Sequence, residues 1–555
     1  MKRFTVIGFG VFLVAQFTIT ERLAGQNPTA TGTIGTSIEE IKVLRNNAAR
    51  RKRRLVLHSD GYPMTAEHRG VFEPTAPPSL FPQLAGTQTG ACTYSLVHQF
   101  PVARLYRSKI AQEWPPGVIE KMYGDGPDGL DTYIELCRNN HLEAFWGMRT
   151  NDTHDASDTS HGLMRWNSNR WKQAHPEFMV GDRGTPLPFG RWSALDYARP
   201  EVREKVFRVL EEVCRNYEID GLMLDFFRHL PTFKTTVLGA EATTQEVEML
   251  TDLFRRIRRM ADEVGAQRRR PILIAVRAPD SLGYAKALGL DIEKWMKEDL
   301  IDIWIATGYF RLQDWSKTVA SAHRYGVQLW AAIDDSRIVQ RQDRNSLEIY
   351  RGRIQNAWNA GVDAVWLFNF FYGRDDAQFQ LLNEAGDPAT LNGKDKVYVA
   401  EARGFSAVNH HLKDGDRFVT RPRFFSPAEP ATLKPDQSVM VSLQVGDDIA
   451  AIEQTAEKTA RATLRIQANS GNSADELAVR FNDHALSNQH YTGDWIEYDV
   501  RSAIVNKGPN QIAIHRGAAA RSDPVLRDLQ LSIRYTPQVT ADSAAPTMNT
   551  QRRRP

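Results

Sequence analysis

Asp225 closes the apolar run Leu222-Met223-Leu224, which follows an Asp220-Gly221 turn and a helical pattern opened by Pro200. If that run is a buried strand of a parallel sheet, its carboxylate stands where barrel enzymes place reacting groups, just past a strand's C-terminal end. Other apolar runs end in similar chemistry. Leu142–Met148 leads to Arg149, Asn151, Asp152, His154 and Asp155, and Ile272–Val276 leads to Arg277 and Asp280. Ile301–Ala306 leads to Thr307 and Tyr309, and Val327–Ile333 to Asp334, Asp335 and Arg337. Val362–Phe368 carries Trp366 and is followed by Asn369.

Carboxylates, guanidiniums and aromatic rings together suit a carbohydrate site. Rings stack on pyranose faces, and glycoside cleavage usually needs two carboxyl groups flanking the scissile bond. One of the two must keep its proton near neutral pH through burial or a neighbouring carboxylate. Asp225 is the expected nucleophile or base, with Arg228 pairing to hold it ionised. Asp334 is the expected acid, its pKa raised by Asp335, and Asp280 stands in reserve. Arg149, Asn151, Asp152, His154, Arg228, Arg277, Tyr309, Trp366 and Asn369 are expected to line the sugar subsites.

Each residue has a plainer alternative. Asp225 could be a structural carboxylate satisfied by backbone N–H groups. Asp334 and Asp280 could cap the next helix or make an Asx turn. Arg149 and Arg277 could serve only internal ion pairs. No cofactor or metal is expected, because the Asn151–Asp155 segment matches no defined ligand spacing. Convergence of His58, Asp60, Asp152 and His154 on one point would instead favour a metal-dependent esterase or deacetylase.

The elements that would position these groups alternate between strand and helix. Helical patterns near 129–140, 200–217, 244–265, 291–298, 315–325 and 346–360 each precede one of the apolar runs. Leu55–Leu57 and Thr93–Val97 supply two earlier strands, making eight over residues 51–395. That points to a (β/α)8 barrel rather than an open doubly wound sheet, since no glycine-rich phosphate turn follows a strand. About fifty residues between the third strand and Pro200, with Trp166, Trp171, Trp192, His154, His161 and His175, read as a long loop on the catalytic face.

From 396 to 535 the texture becomes all-β: Ser438–Val445, Ala462–Ala468, Glu476–Phe481, Trp495–Val500, Asn510–His515 and Leu526–Tyr535 alternate with turns. This reads as a β-sandwich. Residues 536–555 read as a disordered tail.

The 555 residues carry a net charge of +3, too small for a global field that would attract nucleic acid. Basic runs at Arg50–Arg54 and Arg552–Arg554 read as solvated linker and tail. Lys2-Arg3 followed by a mostly apolar stretch to Phe17 resembles a secretory signal peptide over residues 1–25, with residues 26–50 as a linker. Export to the periplasm or the exterior is therefore expected, with membrane attachment only if that segment stays uncleaved. Cys92, Cys137 and Cys214 are too few and too scattered for a disulfide framework.

The stretch Tyr217-Glu218-Ile219-Asp220-Gly221-Leu222-Met223-Leu224-Asp225-Phe226-Phe227-Arg228 resembles the YDVDGIHFDYIRYP region of the glycosyl-hydrolase-like family 10 barrel proteins. Arg199-Pro200-Glu201-Val202-Arg203 precedes it, as in that family. The likeness extends over residues 90–370. An Asp ending the fourth strand is also similar to the α-amylase and α-galactosidase groups, where it is the nucleophile, a role the resemblance implies for Asp225 alone. This chain departs in having Phe226-Phe227-Arg228-His229 where the family shows an aromatic-Ile-Arg-Tyr-Pro run. It also lacks a Glu at the ends of the fifth and sixth strands. Glu476–Asn482 and Asn506–Ile512 resemble strand and turn patterns of jelly-roll modules attached to glycoside hydrolases, some of which bind sugar while others only pack on the barrel. The residues and the resemblance together imply an exported glycoside hydrolase acting on a poly- or oligosaccharide. A non-catalytic carbohydrate-binding barrel is the alternative.

Overall fold

A computed structural model describes most of residues 36–538. Positions 61–65, 69–70, 74–83, 157–165, 307–308, 334–345, 371–375, 401–405 and 470–476, with a few shorter stretches, lie outside the described residues, as do both termini. The expected signal segment, the tail after 538, His161, Thr307, Asp334, Asp335 and Arg337 fall there.

Eight parallel strands of the first sheet form a barrel: β1 (Arg54–Ser59), β2 (Thr89–His98), β3 (Glu143–Arg149), β4 (Gly221–Asp225), β5 (Leu273–Ala278), β6 (Ile303–Ala306), β7 (Gln328–Ile333) and β8 (Ala364–Phe368). Each pairs with its neighbour in sequence, and β1 pairs with both β2 and β8, which closes the barrel. The fold is a (β/α)8 barrel followed by antiparallel β-sheets.

The helices outside follow the apolar spacing. The helix Pro200–Asn216 starts with proline at a position that needs no N–H, and buries Val202, Val206, Val209, Leu210, Val213 and Cys214 on one face. Inside the barrel, residues two apart share a face. Val56, Ala91, Phe145, Met223, Ala275, Ile305, Trp330, Ala332 and Trp366 fill this interior. Gly221 belongs to the same face, where a Cβ would lie 2.4 Å from the Phe145 ring. Only glycine leaves that ring its place.

The stretch read as a linker differs. Residues Ile38–Ala49 form a helix, α1, capped by reciprocal bonds between Ser37 and Glu40. It packs on the helix Thr244–Arg268 and delivers Ala48 and Ala49 to the barrel interior. Arg45, 1% exposed, bonds Asp302 at 3.0 Å, contacts Asp299 and approaches Asp262 at 3.8 Å. The basic run after α1 is not wholly solvated either. Arg53 is buried, bonded to Glu143 at 2.5 Å and to the carbonyls of Ala48 and Ala49. Composition suggested solvent, but these guanidiniums meet acids contributed by distant strands.

The C-terminal part is two antiparallel sheets with a shared core. One contains β9 (Lys396–Val399), the strand Lys458–Asn469 and the strand Val525–Pro537. The other contains β10 (Ser438–Val445), Gly508–Arg516 and Leu477–Phe481. The barrel's helix Leu347–Asn359 lies against it: Asn356 donates to the Gln444 carbonyl at 3.0 Å, and a Cβ on Gly352 would strike the Val397 carbonyl. Among the described residues no helix is long and apolar enough to cross a membrane. The three cysteines are buried and free.

Removing Arg45 takes away one of two guanidiniums on the buried Asp302 carboxylate, leaving Arg258 at 2.9 Å. Arg45→Met is expected to lower unfolding stability by roughly 1–3 kcal/mol, whereas Arg51→Ala, at an exposed pair, costs under about 1 kcal/mol. Urea unfolding of the two variants checks the contrast.

Candidate active site

The inward face of each strand continues two residues beyond the apolar interior, and there its character changes. His58, Thr93, Arg149, Asp225, Arg277 and Phe368 form the layer at the C-terminal end, each no more than 3% exposed. A charge in such a place must be matched by another charge or by hydrogen bonds.

Asp225 is matched twice. Arg277 Nη1 donates to Oδ2 at 3.0 Å, and the backbone N–H of Arg228 donates to Oδ1 at 3.0 Å. The expected ion pair with the Arg228 side chain is not formed. That guanidinium turns away, donating to Tyr309 Oη at 2.7 Å and His154 Nε2 at 2.8 Å. A guanidinium can only donate, so Nε2 accepts and the His154 proton sits on Nδ1, facing Asp152 Oδ1. His154 is thus held between the Arg228 guanidinium and the Asp152 carboxylate.

Arg149 joins two carboxylates, donating to Asp152 Oδ2 at 2.8 Å and to Asp60. Burial pushes both carboxyls up, but their neighbours outweigh it. His154 and Arg149 hold Asp152 well below the usual range, and Arg149 with Arg228 brings Asp60 to about 2. Both are ionised at neutral pH and neither has a proton to give. His58 is the reverse case: burial keeps its imidazole well below the usual value, stacked 4.6 Å from Trp366 and bonded to Thr93 at 2.9 Å.

Several expected subsite residues prove to be framework. Asn151 spends its amide on the Pro231 carbonyl (2.7 Å) and the N–H of Leu195 (2.9 Å), fastening the long loop to the barrel. Trp366 is fully buried, with Nε1 bonded to Thr93, so it forms the floor and offers no face to a sugar. Asn369 takes a left-handed backbone (φ 49°), bonds the His58 carbonyl through its N–H and accepts from the N–H of Asp60, which fixes Asp60 toward Arg149. Asp280 is fully buried and receives the N–H groups of Leu312 and Gln313 at 3.0–3.1 Å, tying down the segment after β6. Burial raises its carboxyl to about 6. Its carboxylate is thus engaged by the backbone of that segment, which makes the reserve acid a loop anchor.

Arg149, Asp152, His154, Arg228, Arg277 and Tyr309 do converge. The Arg277 guanidinium lies 5.2 Å from the Tyr309 ring and 4.8 Å from those of Trp366 and Phe368. His229 joins them unforeseen, its Nδ1 accepting from the N–H of Thr153 at 3.3 Å. Its position four residues past Asp225 was the available signal. The loop carrying Asp152 is secured from below by buried Lys172, which donates to Asp155 (3.0 Å), the Asp152 carbonyl (3.1 Å) and the Ser193 carbonyl (2.8 Å).

Metal chemistry was tied to convergence of His58, Asp60, Asp152 and His154. Instead, Arg149 lies between the two carboxylates, and His58 belongs to the aromatic floor. Among the described residues, the group close enough to share an ion is Asp152, His154 and His229, with ligand atoms within 4.8 Å. Imidazole and carboxylate suit several divalent metals, but an ion there would compete with Arg228 for His154 and with Arg149 for Asp152.

No family model and no curated protein matches the sequence. Among solved structures, the chain is similar to the Paenibacillus cycloisomaltooligosaccharide glucanotransferase at 10% identity and TM-score 0.31, spanning 87% of this chain and 57% of that one. It is similar to the tri-modular endo-beta-1,4-glucanase B of Bacillus halodurans at 13% identity and TM-score 0.40, over 86% and 78% of the two chains. The PgaB glycoside hydrolase domain of Bordetella bronchiseptica gives 9% identity and TM-score 0.40, over 61% of this chain and 99% of that one.

The depressed Asp60 carboxyl has a consequence for pH. A folded-state value near 2, below the unfolded value of about 3.9, adds stability that is complete above pH ~4 and is lost as pH falls toward 2. Thermal melts from pH 5 to 2 are expected to fall less steeply for Asp60→Asn than for the parent chain. Parallel curves would contradict the assignment.

Proposed function

We propose that the protein is an exported glycoside hydrolase that cleaves a poly- or oligosaccharide at the C-terminal mouth of its barrel. The observation that carries this reading is Asp225: a carboxylate ending the fourth strand, oriented by the Arg277 guanidinium and the Arg228 amide. That arrangement supports Asp225 as the nucleophile or base. Asp152, held low by His154 and Arg149, and Asp60, held low by Arg149 and Arg228, are poor choices for the acid. Asp280 is taken up by backbone amides. The sequence places Asp334 directly after β7, and it is the proposed acid, with Asp335 beside it. Arg228, His154 and Tyr309 would bind sugar hydroxyls, donating or accepting at fixed positions. Lys2-Arg3 and the apolar run after them support export.

A second reading has an observation of its own. Asp225 is 1% exposed and both its oxygens are engaged, which would suit a barrel that binds carbohydrate without cleaving it.

Screening the chain on a polysaccharide panel separates the two. Once a substrate is found, Asp225→Asn is expected to abolish turnover with the melting profile retained. Unchanged turnover sinks the assignment, and binding without product formation favours the second reading. Asp334→Asn is expected to lower kcat by roughly 10²–10⁴-fold on the natural glycoside. The loss should be much smaller on an aryl glycoside whose leaving group needs no protonation.

A further inference from the structure

The sandwich contains a lysine and an aspartate that are both out of reach of water. Lys396 opens β9 in one sheet, and Asp447 lies two residues past β10 in the other. Their side chains are 0% exposed, and Nζ is 3.1 Å from Oδ1. That contact lacks hydrogen-bond geometry, and Oδ1 has no hydrogen-bond partner among the described residues. Nζ is instead bonded to two backbone carbonyls, Leu391 at 2.5 Å and Lys394 at 3.1 Å. An uncharged amine has two N–H groups for two carbonyls, and its lone pair is then left for the aspartyl group.

The aspartyl side is arranged to match. Tyr535 Oη donates to Oδ2 at 3.0 Å, and the Asp447 N–H donates to Tyr398 Oη at 3.1 Å, which sets the residue's orientation. One oxygen is thus polarised as a carbonyl would be, while the other faces the amine. Burial moves both groups toward their neutral forms: it depresses the Lys396 ammonium and raises the Asp447 carboxyl, each opposed by the partner's charge.

We propose that Lys396 and Asp447 join in an intramolecular isopeptide bond that staples the two sheets of the sandwich together. The Nζ lone pair attacks Cγ of the protonated carboxyl, forming the C–N bond. Tyr535 holds the charge that develops on Oδ2. The C–Oδ1 bond then breaks, and the departing hydroxyl takes one proton from Nζ and leaves as water. The amide retains one N–H. No oxidant, cofactor or second protein is consumed. The amide would replace two buried ionisable groups, whose charged forms low-dielectric surroundings penalise, with a group that cannot ionise. It would also prevent the sheets from separating when the sandwich unfolds. The inference is independent of the activity assigned to the barrel.

The test is a tryptic digest of the purified full-length protein under denaturing conditions, read by tandem mass spectrometry. The expected product is one branched peptide containing both residues, uncleaved after Lys396, at the summed mass less one water, about 18 Da. Asp447→Asn is expected to give the same branched mass by losing ammonia, about 17 Da, in place of water. Lys396→Met and Asp447→Ala should give none, and Tyr535→Phe should slow its appearance after refolding. Separate peptides from the parent protein, with cleavage after Lys396, overturn the proposal, and because that result needs no variant, misfolding of the variants cannot obscure it.

Discussion

A guanidinium carried out of water keeps its charge, since its pKa is too high for burial to remove it. Arg149 and Arg277 are at most 1% exposed at the C-terminal end of the barrel, so both need anions at hydrogen-bond distance. Asp225 supplies one, and Asp60 with Asp152 supply the other. Once those pairs form, Arg228 is left to donate to Tyr309 and His154, and this in turn decides which His154 nitrogen faces Asp152. The mouth is thus a chain of dependencies in which each partner choice constrains the next.

That chain has chemical consequences. Carboxylates bound to arginine are poor proton donors, so the same contacts that stabilise Asp60 and Asp152 remove them as acid catalysts. They also orient the groups left to meet a ligand. Asp280 shows the opposite solution. Burial leaves its carboxyl raised despite the backbone amides and Arg311, and those amides tie it to the segment that carries Tyr309 and Leu312.

The same rule operates at the other end of the barrel and in the sandwich. Arg45 and Arg53 are drawn into the base of the barrel by Asp302 and Glu143, which turns a segment of linker-like composition into a helix that closes the base. Lys396 and Asp447 sit between two sheets with no water, where charge is most costly. The helix Leu347–Asn359 links the two regions, presenting Gly352 to β9 and Asn356 to β10.

Much of this was legible in order of residues alone. Helical spacing after Pro200 and apolar runs ending in polar groups located the strands and the catalytic face, because periodicity reports which side of an element meets the core. Position along a strand also determined that Asp225, Arg149 and Arg277 would end up inside. What each of them would touch was decided only in three dimensions. Arg149 and Asp60 are 89 positions apart, Asp225 and Arg277 are 52 apart, and the pairing of strands in the barrel makes them neighbours. Arg228 seemed the partner of Asp225 because it was near in sequence, yet only its backbone points there. Asn151, Trp366 and Asn369 have residue types suited to sugar, but their polar atoms are claimed by distant backbone or by Thr93. A sequence sets which groups must be buried, and the fold selects their partners, because matching a buried charge depends on distance across the barrel and not along the chain.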